Sequence, residues 1–384
     1  MNSFSFSLPQ NIRFGRGMLD ELGTVAETAK AKKAFIVSGP HLYKAGLVDR
    51  CAESLARTGI SCESFTETEG NPSVETVNKA TERFRESNAD LIVAFGGGSP
   101  IDVAKAVAIL GKYGGKITDY EGTDKVPGSV VPIIAIPTTA GTGSEVTAFS
   151  VITDHSRNYK LTVGSNYLLP GNVILDPDLV TTVPVKTAAY CGVDAMVHGL
   201  ESYISKAASP FSDMMALKAL ELLGGNIKGY VADRSNEKAA GAMLLGSLFA
   251  GVAFSHARLG NVHAMSHPVS AYFDVAHGLA NAIILPTVVE YNAPSDQGKY
   301  YEIYKRISQS PVSKREFRSD MLLSEIRELN HALGIPELLD KVGVKADMID
   351  AMAEDAMKSG NIKVNPRTTT KADIIELYKK ALSH

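Results

Sequence analysis

Residues 90–110 read DLIVAFGGGSPIDVAKAVAIL. A short apolar run, DLIVAF, enters three consecutive glycines, and a segment with helical periodicity, IDVAKAVAIL, follows them. A strand, a tight turn and a helix N-terminus in this order favour a bound phosphate, because exposed backbone N–H groups and the helix dipole attract an anion. We therefore interpret Gly97, Gly98 and Ser99 as candidate cofactor-binding residues of a nucleotide-binding domain.

The same turn has a structural interpretation that needs no ligand. Ser99 as the N-cap, Pro100 at the first helical position and Asp102 at the third would start a helix well. Three glycines are more than such a cap requires, which favours the phosphate site, and we count Asp102 with its cofactor-binding residues. The run is not the GxGxxG fingerprint of dinucleotide-binding domains, so alone it is a moderate signal.

The wider pattern predicts an α/β domain followed by a helical one. From Lys33 to about Asp178 the strand-like runs AFIVS, SCESF, DLIVAF and VVPIIAI alternate with helix-like runs such as LVDRCAESLAR and VETVNKATERFRES. This alternation predicts a parallel sheet that is covered on both faces. After DPDLVTTVPVKTAAY the segments read as helical, which predicts a boundary near Pro184 between an α/β domain, 1–184, and an all-α domain, 185–384.

A second polar loop, PTTAGTGSEVT, spans Pro137–Thr147 just after the run VVPIIAI. Open α/β sheets hold ligands in loops at the carboxyl ends of their strands. A turn rich in Ser and Thr that caps a helix explains this loop equally well when the loop is taken alone. Two such loops after neighbouring strands favour a dinucleotide site.

Histidines are concentrated in the helical half, where five of the nine lie between His198 and His277. Asp194 and His198 are four residues apart, as are His263 and His267, so each pair shares one face of a helix. Three histidines with one carboxylate, and no sulfur, suit a catalytic Fe(II), Zn(II) or Mn(II) more than a closed structural zinc site. Clustering favours this interpretation over histidines that are merely hydrogen-bonded in the core.

Composition excludes several classes of protein. The net charge of −3 and the pI near 6.3, with no basic stripe beyond AKAKK, argue against nucleic-acid binding. Three scattered cysteines fit a reducing compartment, so we expect a cytoplasmic protein. The N-terminus lacks a signal-peptide pattern, and the sequence indicates no uncharged apolar run near membrane-spanning length, so we expect no membrane insertion.

Taken together, the motifs GGGSPIDVAKA and PTTAGTGSE and the aspartate–histidine set resemble the iron-containing, group III, alcohol dehydrogenase family. The resemblance extends from FGRGML near the N-terminus to NPR at 365–367. It implies an α/β dinucleotide-binding domain with a parallel sheet, an all-α domain and a metal between them, an architecture shared with dehydroquinate synthases. The metal ligands that it implies are Asp194, His198, His263 and His277. The cofactor contacts that it implies are Asn71, Gly97, Gly98, Ser99, Thr138, Thr139, Thr142 and Lys160.

The family implies an NAD(P)-linked, metal-dependent alcohol dehydrogenase or aldehyde reductase that acts on small alcohols, diols or aldehydes and assembles as a homodimer or larger homo-oligomer. Fe(II) is the expected metal, although Zn(II) suits the same ligands. His267, which spacing alone would pair with His263 as a ligand, lies near the substrate in resembling proteins. It is the nearest titratable candidate for a proton relay, and orienting the ligands is an alternative role of equal weight.

Related enzymes, a nucleotide-binding sensor and a reductase of anionic aldehydes are alternative functions. Glycerol dehydrogenases and dehydroquinate synthases share the architecture, but their ligand sets include a glutamate or fewer histidines. A non-enzymatic nucleotide-binding sensor would have no need of an open metal site. His256 and Arg258, in FSHARLG, stand where many resembling proteins have an asparagine and a small residue. A cationic side chain there could recognise an anionic aldehyde such as a carboxylate, phosphonate or sulfonate. The plainer interpretation is a surface arginine that pairs with a carboxylate or faces a subunit neighbour.

Cofactor preference rests on Gly39, which closes the run AFIVSG. NAD-specific members of the family tend to carry an aspartate there, and a carboxylate at this place binds the adenosine ribose hydroxyls and repels a 2′-phosphate. Gly39 does neither, and His41 or Lys44 could add positive charge nearby. We therefore expect NADP(H) to be accepted and preferred over NAD(H), with a simple turn at Gly39 as the alternative interpretation.

Overall fold

The computed structural model describes residues 3–157 and 159–383, which form two compact units. Leu8–Val183 form one unit, and the chain from Pro184 onward forms the other together with the N-terminal segment up to Ser7. The first unit contains every β-strand of the described residues, whereas the second is helical throughout. The predicted fold class, an α/β part with a parallel sheet followed by an all-α part, is confirmed.

The strands and helices of the α/β unit follow in chain order. The strands are β1 (Asn11–Phe14), β2 (Lys33–Val37), β3 (Ser61–Phe65), β4 (Leu91–Gly96), β5 (Gly122–Thr123), β6 (Ile133–Pro137), β7 (Phe149–Asp154), β8 (Tyr159–Gly164) and β9 (Asn172–Leu175). The helices are α1 (Leu22–Thr28), α2 (Pro40–Lys44), α3 (Leu47–Ala56), α4 (Val74–Ser87), α5 (Gly98–Tyr113) and α6 (Pro177–Val180).

Nine α-helices make up the described part of the helical unit. They are α7 (Val185–Ile204), α8 (Pro210–Ala232), α9 (Glu237–Ala257), α10 (Asn261–Phe273), α11 (His277–Asn292), α12 (Lys299–Ile307), α13 (Ser319–Ala332), α14 (Ile349–Lys358) and α15 (Lys371–Leu382). The segment up to Ser7 packs here through aromatic rings, with Phe6 stacked on Phe211 at 5.0 Å between ring centroids.

The main sheet has six parallel strands in the order β1-β9-β6-β4-β2-β3. Its core strands read as continuous apolar runs because both faces are covered, and all six residues of β4 are buried. The chain moves outward from β2 to β3, then returns to the other side of β2 to form β4. The switch in direction therefore lies between β2 and β4, where open α/β sheets bind ligands at the carboxyl ends of the strands.

Five strands were not predicted from the sequence. β1 and β9 pair in parallel at one edge of the main sheet. β7 and β8 form an antiparallel pair, and β5 joins β8 in a separate three-stranded sheet. These strands are short or carry polar residues at many positions, as in YKLTVG of β8, so no apolar run marks them.

The expectation that no apolar run approaches membrane-spanning length is wrong for helix α9. Helix α9 is 21 residues long, and its mean hydropathy over the most apolar window is 1.4, so length and composition alone would let it cross a membrane. Of that window, 67% is buried inside the protein. Because a long core helix also needs apolar residues on every side, the burial accounts for this composition.

A buried lysine ties α5 to the loop that follows β6. Lys105 is fully buried, and its Nζ donates hydrogen bonds to the carbonyl oxygens of Ser144 at 2.7 Å, Thr147 at 2.8 Å and Phe149 at 2.7 Å. Burial lowers the pKa of Lys105 to about 8, and burial raises the pKa of the neighbouring Glu145 to about 7. Three carbonyl acceptors and nearby carboxylates compensate for much of the cost of burying the ammonium group.

We expect Lys105→Met to lower the free energy of unfolding by about 3–5 kcal/mol, because the carbonyls and carboxylates around Nζ would lose their cation. Lys112→Met is the matched control, since Lys112 lies on the same helix and is exposed, and it should change stability by no more than about 0.5 kcal/mol. Urea denaturation measures both. Equal stabilities of the two variants would contradict this role of Lys105.

Candidate functional site

Three helices of the helical unit bring the predicted metal ligands together. Asp194 and His198 lie one turn apart on α7, His263 lies in the first turn of α10, and His277 is the first residue of α11. The i, i+4 spacing on α7 places both of its side chains on one face, as expected. Asp194, His198 and His263 are buried, whereas the side chain of His277 is 25% exposed.

The donor atoms converge on one carboxylate oxygen. Asp194 Oδ1 lies 3.8 Å from Nε2 of His198, 3.6 Å from Nε2 of His263 and 3.9 Å from Nε2 of His277. Asp194, His263 and His277 can each offer one ligand atom within 4.8 Å of the others, which makes them the tightest group of the four. The His198 ring stacks on His263 at 4.6 Å and on Phe254 at 4.5 Å between centroids.

The electrostatics of this cluster follow from burial and opposite charge. Burial by itself would raise the pKa of Asp194, but the neighbouring His198, His263 and His277 hold it well below its usual range. Burial by itself would lower the pKa of His263, but the nearby carboxylate of Asp194 and the hydrogen bond to Glu201 raise it to about 9. The carboxylate is therefore ionised and available to a cation.

An amide faces the same space as the ligand atoms. Asn281 Nδ2 donates to Asp194 Oδ1 at 2.6 Å and lies 3.1 Å from Nε2 of His263 and 3.2 Å from Nε2 of His277. Asn281 is fully buried, and its Oδ1 has no hydrogen-bond partner among the described residues. A buried amide oxygen without a hydrogen-bond donor is costly, so one polar atom next to this cluster lacks a partner.

Glu201 contacts the candidate site and was not predicted from the sequence. It lies on α7, seven residues after Asp194 and three after His198, and is 2% exposed. Its Oε2 lies 2.6 Å from Nδ1 of His263. The spacing of Asp194, His198 and Glu201 could have revealed it, because all three positions fall on one helical face.

The N-terminus of α10 is held by side chains from outside the helix. Glu201 Oε1 accepts from the N–H of Val262 at 2.7 Å, and Asn365 Oδ1 accepts from the N–H of Asn261 at 3.3 Å. A Cβ added at Gly260 would lie 2.9 Å from Glu201 Oε1 and 3.0 Å from Asn365 Oδ1, so only glycine leaves room for both caps. The asparagine of the NPR motif thus anchors the helix that carries His263.

His267 lies beside two of the predicted ligands, whereas His256 and Arg258 lie at the C-terminal end of α9. The ring of His267 lies 5.2 Å from that of His277 and 6.4 Å from that of His263, between centroids. His256 packs on Phe6 at 4.4 Å, and its Nε2 lies 3.0 Å from the carbonyl oxygen of Ser7, so this histidine holds the N-terminal segment. Arg258 is exposed at the end of α9 with φ = 60°, and a Cβ added at Gly360 would lie 2.9 Å from its Nη1.

The predicted cofactor residues of the α/β unit follow the carboxyl ends of adjacent strands. Helix α5 begins at Gly98 with Gly97 as its N-cap, so the alternative in which Ser99 is the N-cap is wrong. No side chain caps this N-terminus. Backbone N–H groups at the first turn are therefore available to an anion.

At each glycine of the turn, a larger residue would meet neighbouring side chains. Gly96 has φ = 153°, and a Cβ there would lie 2.6 Å from Pro100 Cγ. A Cβ at Gly97 would lie 3.1 Å from Thr139 Oγ1, and one at Gly98 would lie 2.7 Å from Thr142 Cγ2. The second polar loop therefore packs directly against the glycine turn, as two ligand-binding loops at one sheet edge would.

The remaining cofactor candidates lie elsewhere in the α/β unit. Asn71, with φ = 53°, accepts a hydrogen bond of 2.7 Å from Nζ of Lys160, which connects two predicted contacts. Thr138 is buried, and its backbone N–H donates to the carbonyl of Gly96 at 3.0 Å. Both carboxylate oxygens of Asp102 accept hydrogen bonds within the unit, from Ser144 Oγ and from the N–H of Val151, and its role toward a cofactor stays a prediction.

Gly39 follows β2 at the switch point of the sheet. Its φ of −109° is open to any residue, so the turn itself does not require glycine. A Cβ there would lie 3.1 Å from the carbonyl oxygen of Thr68, which is a tight contact. Next to it, Ser38 Oγ and Thr68 Oγ1 are buried with no hydrogen-bond partner within the described part of the chain.

Comparison with known proteins matches both parts of the chain to one family. Residues 9–177 match the model of the iron-containing alcohol dehydrogenases, and residues 188–382 match the C-terminal model of the Fe-containing alcohol dehydrogenase family. The NAD-dependent methanol dehydrogenase of Bacillus methanolicus is 33% identical over 379 residues, 98% of this chain and 100% of that protein. The NADPH-dependent butanol dehydrogenase of Clostridium saccharobutylicum is 35% identical over 383 residues, 97% of each chain.

Solved structures agree over the whole length. A 1,3-propanediol oxidoreductase superposes with a TM-score of 0.95 at 35% identity, covering 99% of this chain and 100% of that one. The sulfoacetaldehyde reductase from Bifidobacterium kashiwanohense, in complex with NAD+, superposes with a TM-score of 0.89 at 28% identity, covering 100% of both chains.

Proposed function

This chain belongs to the iron-containing alcohol dehydrogenase family and is an NAD(P)-linked oxidoreductase that acts on CH–OH groups, and we propose the residues and substrates with which it does so. The observation that carries the proposal is the convergence of three imidazole Nε2 atoms on Asp194 Oδ1 inside the helical unit. We propose that α/β residues 1–184 bind the dinucleotide and helical residues 185–384 hold the metal.

The proposed metal ligands are Asp194, His198, His263 and His277. One carboxylate and three imidazoles suit Fe(II), the metal of the family name, and accept Zn(II) as well. The ionised Asp194 and the three imidazole Nε2 atoms around its Oδ1 support a cation at this place. When bound, the metal supplies Lewis-acid polarisation of the substrate C–O group.

Proton transfer is assigned to His267. Its ring lies beside His277 at 5.2 Å, and it is partly exposed, so its imidazole can exchange a proton with solvent while it lies next to a ligand. An imidazole titrates near neutral pH, which suits a general acid or base. A bound nicotinamide would supply the donor or acceptor of hydride for the substrate carbon.

The proposed cofactor contacts group at the carboxyl edge of the sheet. Gly97, Gly98 and Ser99 start α5 and offer N–H groups to the diphosphate, and Thr138, Thr139 and Thr142 lie in the loop packed against them. Gly39, Asn71, Asp102 and Lys160 complete the proposed set. Small alcohols, diols and aldehydes are the proposed substrates, in keeping with the names of the methanol, butanol and propanediol enzymes.

Metal content should depend on His277 and not on His267. We expect His277→Ala to lose most of its bound metal, whereas His267→Ala and the remote, exposed control His331→Ala keep it. Elemental analysis after purification and after dialysis with Fe(II) or Zn(II) measures this. If His267→Ala loses the metal and His277→Ala keeps it, the ligands are His263 and His267, the pair at i, i+4 spacing, and the proposed set is wrong.

Steady-state assays at 340 nm with a panel of primary alcohols, diols and short aldehydes test the activity and the cofactor together. We expect kcat/KM with NADPH to equal or exceed that with NADH, because no carboxylate stands at position 39 to repel a 2′-phosphate. Gly39→Asp should shift the ratio toward NADH, while Gly39→Ala, the control for the contact with Thr68, should not. A preference for NADH above about tenfold, worth roughly 1.4 kcal/mol, would refute the cofactor assignment.

Arg258 supports a second candidate, the reduction of an anionic aldehyde. Its guanidinium forms no ion pair within residues 3–157 and 159–383, which leaves it available to an anionic group. A positive φ at a bulky residue is strained, and such strain is found at functional sites. One structural neighbour is named a sulfoacetaldehyde reductase.

If Arg258 binds the anionic group, Arg258→Ala should lower kcat/KM for a sulfonate or carboxylate aldehyde by about 10–100-fold, the worth of a charged hydrogen bond. A neutral aldehyde of equal length should be unaffected, and Arg258→Lys should retain part of the activity toward the anion. Unchanged kcat/KM for both substrates in Arg258→Ala would end this candidate.

A further inference from the structure

We propose that Glu201 is the positioning residue of the metal centre: its carboxylate fixes the ring orientation and the tautomer of His263 and thereby sets the affinity for the metal. The proposal rests on the proposed function in one respect, the assignment of His263 as a ligand.

The contacts of Glu201 leave the His263 ring no freedom to choose its tautomer. Oε2 is 2.6 Å from Nδ1 of the imidazole, and Oε1 accepts from the N–H of Val262 at 2.7 Å. A carboxylate only accepts hydrogen bonds, so Nδ1 must carry the proton. In the neutral ring, Nε2 then keeps its lone pair, and this atom is the one that lies 3.6 Å from Asp194 Oδ1.

The position of Glu201 explains how a buried carboxylate is tolerated. Its oxygens lie at the N-terminal end of α10, where the helix dipole and free N–H groups favour a negative charge. Gly260 gives the carboxylate room, since any Cβ at that residue would meet Oε1. The same group therefore anchors the helix and orients its histidine, and a carboxylate behind a histidine ligand typically changes metal affinity by about 10–100-fold.

Glu201→Gln separates the orienting role from simple packing. Gln keeps the size of Glu, and its amide oxygen must face the N–H of Val262, because two donors there would repel. The amide NH2 then faces Nδ1 of His263, which has to accept, and the ring proton moves to Nε2. That tautomer presents an N–H where the metal would bind.

The experiment uses the full-length protein, Zn²⁺ in competition with a chelator, Co²⁺ absorption spectra and ¹⁵N NMR of labelled histidine in the metal-free state, recorded at a pH high enough for the imidazole of His263 to be neutral. We expect the Kd for Zn²⁺ to rise about 10–100-fold in Glu201→Gln, the Co²⁺ spectrum to change, and the His263 proton to move from Nδ1 to Nε2. Thr369→Val is the matched control, since it removes only the hydroxyl that accepts from Asn261 Nδ2 in the same cap. It should lower the melting temperature and leave the Kd within about twofold.

The outcomes distinguish this proposal from the proposed function. An unchanged Kd in Glu201→Gln, while His263→Ala loses the metal, overturns the role of Glu201 alone. An unchanged Kd in His263→Ala overturns the ligand assignment and the positioning role together. If Glu201→Gln does not fold, the wild-type protein decides: a metal-free His263 with its proton on Nε2 overturns the proposal, and a proton on Nδ1 supports it.

Discussion

The helical unit depends on two buried carboxylates that point from one face of α7. Asp194 faces three imidazoles from α7, α10 and α11, and Glu201 faces the imidazole of His263 and the N-terminus of α10. A buried carboxylate without compensation is too costly to keep ionised, so the neighbouring helices have to approach closely enough to supply donors. The charges on α7 therefore help to fix the positions of α10 and α11, and the same contacts bring together the proposed metal ligands.

The α/β fold could be predicted because the buried strands at the centre of its sheet are recognisable as apolar runs in the sequence. AFIVS, DLIVAF and VVPIIAI coincide with β2, β4 and β6 to within three residues at each end, and SCESF coincides with β3. Central strands covered on both faces are mostly apolar, so β2, β4 and β6 appear in the sequence as apolar runs, whereas the edge strand β3 is partly exposed and carries polar residues. The pair β7 and β8 gives no such signal, because it forms a small separate sheet in which several positions are partly exposed.

The candidate site could be predicted only where residues act through their own chemistry. Asp194 and the histidines are recognisable as ligand types at helical spacing. Glu201 and Asn281 act through these ligands, and a lone glutamate or asparagine in a helical segment looks like any other helical residue. Steric roles are hidden as well: the three glycines at 96–98 seemed to exceed the needs of a helix cap. Yet the side chains of Pro100 and Thr142 leave no room for a Cβ at Gly96 and Gly98, and Thr139 leaves little at Gly97. The glycine count therefore carries less weight for a phosphate site than the uncapped N-terminus of α5 does.

A comparison of two buried polar clusters shows how a structural cluster differs from a site. Around Lys105, three carbonyl oxygens accept hydrogen bonds from Nζ, so the ammonium group is satisfied and its role is to hold a loop. Around Asp194, the Nε2 atoms of three imidazoles lie 3.6 to 3.9 Å from Oδ1, beyond hydrogen-bond length, and Asn281 Nδ2 donates to the same oxygen at 2.6 Å. A protein that needed this cluster only for packing would gain stability by closing those distances or by replacing the polar groups with apolar ones. Retaining three imidazole nitrogens around one carboxylate oxygen, each too far from that oxygen for a hydrogen bond, is the geometry expected where a cation completes the coordination.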